Sequence, residues 1–137
     1  VVEKAIRDIL ITSTGVSSIV AKRVYNGFPP QEVTLPFIVF KREATDRFRT
    51  LSGANGLVVA DVEINCLSLT ASQLQTLSDE VRQSLDNYAG TNKGVTIQRA
   101  MIDDESDDIE IETSGSDKRV RRRALDFRVF YCETPAA

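Results

Sequence analysis

The sequence predicts an α+β domain: a mostly antiparallel sheet of four to five strands, covered on one face by a long helix at about 70–89 and a short N-terminal helix, with a charged β-hairpin. Three observations carry that expectation. Segments of alternating or β-branched composition lie on either side of one long stretch with helical periodicity. The chain has 137 residues, 42% of them hydrophobic, which is enough for one core, so residues 1–137 are read as a single domain. No self-similarity at a period of roughly 20 to 50 residues points to a repeat architecture.

In chain order, Val2, Ala5, Ile6, Ile9 and Leu10 recur at three- and four-residue steps, which predicts a short helix with Lys4, Arg7 and Asp8 outside. Thr12-Ser13-Thr14-Gly15 stops it, and Val16 to Ala21 can form another turn or two before Arg23-Val24-Tyr25 extends. Prolines at 29, 30 and 36 constrain a connector over 26–36, because proline supplies no ladder donor and restricts the residue before it. Phe37 to Glu43 reads as a strand, and 45–51 alternates less cleanly. Ser52 to Gly56 has turn chemistry and leads into a long strand, Leu57 to Leu69. There Val58, Ala60, Val62, Ile64 and Cys66 share one face, opposite Asp61, Glu63 and Asn65.

Thr70-Ala71-Ser72-Gln73 matches a capping box directly before Leu74, Leu77, Val81, Leu85 and Tyr88, an apolar stripe that Gly90 should end. Its predicted partners are Val62, Ile64, Phe127 and Val129. Val95 to Ile102 reads as a strand, and a last strand runs from about 120 to 133 with Leu125, Phe127, Val129 and Tyr131 on one face. Residues 134–137 form a short tail.

Composition excludes much chemistry. The chain contains no His, which removes Ser-His and Cys-His dyads and His-containing zinc sites. Two cysteines are too few for a disulfide framework or a four-thiolate metal site, and Cys66 falls in the apolar register of its strand, as a core residue would. Cys132 shares a face with Arg128, and a reducing, cytosolic assembly environment fits this cysteine usage best. Gly53-Ala54-Asn55-Gly56 precedes Leu57-Val58 rather than Lys-Ser or Lys-Thr, so it is not a phosphate-binding loop. No apolar run approaches membrane-spanning length, and the first residues have no signal-peptide pattern. An enzyme is not expected, and neither is a cofactor.

The strongest signal is charge segregation near 103–123. Seven of the 20 acids lie between Asp103 and Glu112, and five of the 17 bases follow at Lys118, Arg119, Arg121, Arg122 and Arg123. With a turn at Ser114 to Asp117, Glu112 would face Arg119, Glu110 would face Arg121 and Asp108 would face Arg123. Three readings stand: a solvated, edge-protecting hairpin, an assembly element whose acidic arm meets a neighbour's basic arm, or a DNA contact. The candidate assembly residues are Asp103, Asp104, Asp108, Glu110, Glu112, Lys118, Arg119, Arg121 and Arg123. An EF-hand loop starting at Asp103 is rejected, because Asp108 stands where glycine is required and Ser114 where a bidentate glutamate is required. Loose divalent binding by the clustered carboxylates is compatible with all three readings.

Three stretches together resemble the tail completion, or tail terminator, proteins of long-tailed bacteriophages. They are Arg23-Val24-Tyr25 with the later Leu35-Pro36-Phe37-Ile38-Val39-Phe40, then Leu51 to Leu57 with Val62-Glu63-Ile64-Asn65-Cys66 and the capped helix, and finally Leu125-Asp126-Phe127-Arg128-Val129-Phe130. The resemblance implies a non-enzymatic virion protein forming a homo-hexameric ring on the tail tube, at the head-tail junction. It would end tube polymerisation, contact tail tube and head-tail connector proteins, and let DNA pass through its lumen without sequence-specific binding. A head-completion or connector ring and a nucleic-acid-binding accessory protein are the alternative classes.

Overall fold

The computed structural model describes residues 2–28, 35–50, 53–92, 95–111 and 119–132. Three helices, α1 (Val2–Thr12), α2 (Thr14–Val20) and α3 (Ala71–Leu85), accompany six strands. The strands are β1 (Val24–Asn26), β2 (Phe37–Thr50), β3 (Gly53–Ser68), β4 (Gly90–Asn92), β5 (Val95–Ile111) and β6 (Arg119–Cys132). They form one sheet in the order β1-β2-β3-β6-β5-β4, antiparallel except where β1 runs parallel to β2. The α+β class and the mostly antiparallel sheet stand, with six strands rather than four to five.

The helices pack on one face. Val2, Ala5, Ile6, Ile9 and Leu10 of α1 and Leu74, Leu77, Val81 and Leu85 of α3 are all buried, as their spacing predicts. They share one core with Val58, Ala60, Val62, Ile64 and Cys66 of β3 and Leu125, Phe127, Val129 and Tyr131 of β6. Arg42, on the same face of β2, pairs with Glu3 of α1 at 3.2 Å. Burial pushes the Cys66 thiol up to about 12, so it is a core residue rather than a nucleophile. Cys66 and Cys132 are both free and lie opposite Arg123 and Leu57, far apart along the sheet.

Several boundaries differ from the sequence reading, each for a local reason. Only half of the predicted capping box forms: Thr70 Oγ1 accepts from Gln73 N at 3.3 Å, while the Gln73 side chain meets the Ser68 hydroxyl at 2.6 Å. Helix α3 ends at Leu85 rather than near 89, because Asp86 turns to β5, where its Oδ1 accepts from Ile102 N at 3.0 Å. Asn87 then takes φ 62, and Asn87 N and Tyr88 O bond Ala100. Residues 53–56 belong to β3 rather than to a turn, since Gly53 already faces Thr50. Register shifts at Arg42/Ala44 and Arg47/Arg49 explain the uneven alternation after 44.

Candidate assembly surface

Strand β5 continues from Val95 through the acidic run to Ile111, paired throughout with β6. The charged hairpin is therefore an extension of the central sheet. Its register is one residue away from the expected pairing: Asp107 faces Arg123, Asp108 faces Arg122, Ile109 faces Arg121 and Ile111 faces Arg119. Two shifts, at Ile97/Arg99 and Ile102/Asp104, each add a residue to β5; the first places Ala100 and Ile102 on the helix-covered face and the second places Glu105 and Asp107 there.

Arg123 occupies the end of that covered face. Its Nε donates to Asp107 Oδ1 at 2.6 Å and lies 3.7 Å from Glu105, while its Nη1 donates to Gln75 Oε1 at 2.6 Å and Ser78 Oγ at 2.9 Å. The hydrogen bond from Arg123 holds the Asp107 carboxyl below its usual range. Gln75, Arg82, Glu105, Ser106, Asp107 and Arg123 line a polar cleft of about 350 Å³ between α3 and the base of the hairpin. Glu105, Asp107, Gln75 and Ser78 were absent from the sequence candidates. One signal existed, for Ser78 is the polar member of the buried stripe formed by Leu74, Leu77 and Val81.

Of the predicted residues, Asp103 and Asp104 are exposed on β5, and Arg121 is half-buried. Asp108, Glu110 and Arg119 are placed by strand register alone, and Glu112 and Lys118 lie outside the described residues.

A second acidic group lies on the uncovered face of the sheet. Glu43, the extra residue at the first β2 irregularity, brings a carboxylate oxygen within 4.8 Å of those of Glu63 and Asp126. Asp61 and Asp103 line the same depression. A hydrogen bond shared with Glu63, with burial and repulsion from Glu63 and Asp126, pushes the Glu43 carboxyl up to about 7. Glu63, on the other side of that bond, is held low, and burial raises Asp126. Such carboxylates can hold a proton or a cation; nearby cations include Lys41, opposite Glu63, Arg122, whose charge helps hold Glu63 low, and Arg128, 3.5 Å from Asp61.

No helix among the described residues is long and apolar enough to cross a membrane. No curated protein matches the chain. Among solved structures, a chain from the virion of a native gene transfer agent particle has a similar fold, with a TM-score of 0.75 at 16% identity, over 95% of this chain and 93% of that one. The family model for tail completion protein gp17 matches residues 4–131, nearly all of α1 through β6. The chain therefore belongs to the tail completion protein gp17 family.

Proposed function

We propose that copies of this chain form a ring, six to a turn, that caps the tail tube, ends its polymerisation and offers the surface to which the head attaches. The tube protein lies on one side, the connector on the other, and DNA crosses the lumen without sequence-specific contact. The observation that carries this reading is the family match across residues 4–131. The role is architectural, with no catalytic step. Asp103, Asp104, Asp108, Glu110 and Glu112, with Lys118, Arg119 and Arg121, act at the boundary between copies, while Arg123 fixes the direction of the hairpin from inside its own subunit. Assembly takes place in the host cytoplasm.

Electron microscopy of lysates from a producing strain lacking this gene tests the proposal. Overlong tubes beside unattached, DNA-filled heads are expected. Tails of normal length would overturn control of termination, and unattached heads beside such tails would move the role to the head side.

A further inference from the structure

The sheet has two edges, and each is only partly closed. At one edge β1 covers β2 from Ile38 to Phe40, and Gly27 N bonds Phe40 O; among the described residues nothing pairs with β2 from Lys41 to Thr50 on that side. At the other edge β4 covers Val95 to Ile97, Tyr88 and Asn87 bond Ala100, and Asp86 bonds Ile102 N. Beyond Ile102, among the described residues, the outer side of β5 is open to Ile111. An open strand edge presents unpaired backbone donors and acceptors and is a template for another strand.

The open stretches carry opposite charge. Residues 41–50 hold Lys41, Arg42, Arg47 and Arg49 against Glu43 and Asp46, whereas residues 103–111 hold six acids and no base. Pairing β5 with β5 would set acid against acid, and pairing β2 with β2 would oppose two mainly basic segments, so both two-fold pairings are disfavoured. Pairing β5 of one copy with β2 of the next is the complementary choice.

Direction agrees. Strands β2 and β5 are antiparallel within one sheet, so equivalent copies placed side by side bring β5 antiparallel to the neighbour's β2. The open stretches lie at opposite ends of the sheet, since Phe40 is level with Ile64, Leu125 and Glu105 across the strands. Pairing them staggers neighbours along the strands by several residues, on the order of 10–25 Å at about 3.3 Å per residue. Stagger and strand tilt are what a sheet needs in order to close on itself.

We propose that copies of this chain join edge to edge, the acidic open edge of β5 (103–111) adding as a strand to the basic open edge of β2 (41–50) of a second copy. The contact is heterologous, so it propagates around a ring rather than stopping at a dimer. It rests on the ring reading above and supplies its interface.

Two full-length variants test it. Asp103→Lys, Asp104→Lys, Asp108→Lys and Glu110→Lys together leave two acids beside four lysines over 103–111 and make the β5 edge basic, and Arg47→Glu with Arg49→Glu makes the β2 edge acidic. In register Asp104 faces Asp126, Glu110 faces Val120, Arg47 faces Val58 and Arg49 faces Ala54, while Asp108 faces a residue of opposite charge, Arg122. Native mass spectrometry should find the unaltered chain assembled, each variant alone monomeric, and an equimolar mixture restored to rings containing both chains.

A variant that assembles alone like the unaltered chain, or a mixture that stays monomeric, overturns edge pairing and leaves the ring reading intact. An unaltered chain that stays monomeric even on purified tail tubes overturns the ring, and the edge pairing with it. Should a reversal prevent folding, as read by circular dichroism, the neutral pairs Asp104→Asn/Glu110→Gln and Arg47→Gln/Arg49→Gln replace it. Each should raise the concentration for half-assembly at least about tenfold, and no change would overturn the proposal.

Discussion

The helix-covered and uncovered faces of the sheet are built from alternate residues of the same strands, and they do different work. On β3 and β6 the covered side places Val62, Ile64, Leu125 and Phe127 in a core with Leu77 and Val81. One residue along each strand, the other side places Asp61, Glu63 and Asp126 in an acidic depression. The covered face gains apolar burial, the main favourable term in folding. The uncovered face gathers like charges at a cost to the isolated subunit, and its chemistry is directed outward. Apolar burial and like-charge clustering are thus separated by a single step in the backbone, which gives substitutions on the two faces different signatures.

The largest effect is expected at the centre of the covered face. Val81→Asp buries an unpaired carboxylate in a fully buried site and should cost at least about 4 kcal/mol, enough to abolish cooperative thermal unfolding. A variant that melts like the unaltered chain would show that α3 does not pack there. Next comes the polar end of the same face: Arg123→Ala removes charge-assisted hydrogen bonds to Asp107, Gln75 and Ser78, the first two of which return to water, and should cost roughly 1.5–2 kcal/mol by denaturant titration. Hydrogen exchange should report loss of amide protection over 104–111 in particular.

Asp86→Ala leaves Ile102 N without its acceptor and should cost about 1 kcal/mol, with the melting temperature as the check. The smallest effect lies on the uncovered face and appears as a pH slope. The folded pair Glu43 and Glu63 retains one proton that the unfolded chain releases near the ordinary glutamate value of 4.5. The stability due to that proton is present below 4.5 and is lost as pH rises through about 7. Glu43→Gln should flatten this decline in melting temperature between those values, and an unchanged slope would show that the two carboxyls do not share a proton.

Much of the covered face was legible because burial imposes a period. The alternation from Val58 to Cys66 and the stripe from Leu74 to Leu85 announce their partners, and all of those residues are buried. Irregularities that add one residue to a strand leave no compositional mark. The second of those in β5 puts Glu105 and Asp107, rather than Asp104 and Asp108, on the covered side after Ala100 and Ile102, and Arg123 meets Asp107 instead of the expected Asp108. The irregularity in β2 likewise brings Glu43 to Glu63. The segregated charges of the hairpin were visible as composition, but their register depended on geometry elsewhere along β5. The edge strands β1 and β4 are too short for propensity to distinguish them from loops.

The central seam of the sheet also governs when the subunit can become complete. Strand β3 pairs with β6 from Leu57↔Cys132 to Ser68↔Arg121, so its neighbours on one side are separated from it by more than fifty residues. The hairpin of β2 and β3 and the helices can emerge from a ribosome and fold locally, but the edge of β3 that pairs with β6 stays open until β6 arrives. Closing so long a loop is slow compared with hairpin formation. A nascent chain therefore presents this edge of β3 together with the open edge of β2 until synthesis reaches β6, and that interval is when premature strand pairing between copies has to be avoided.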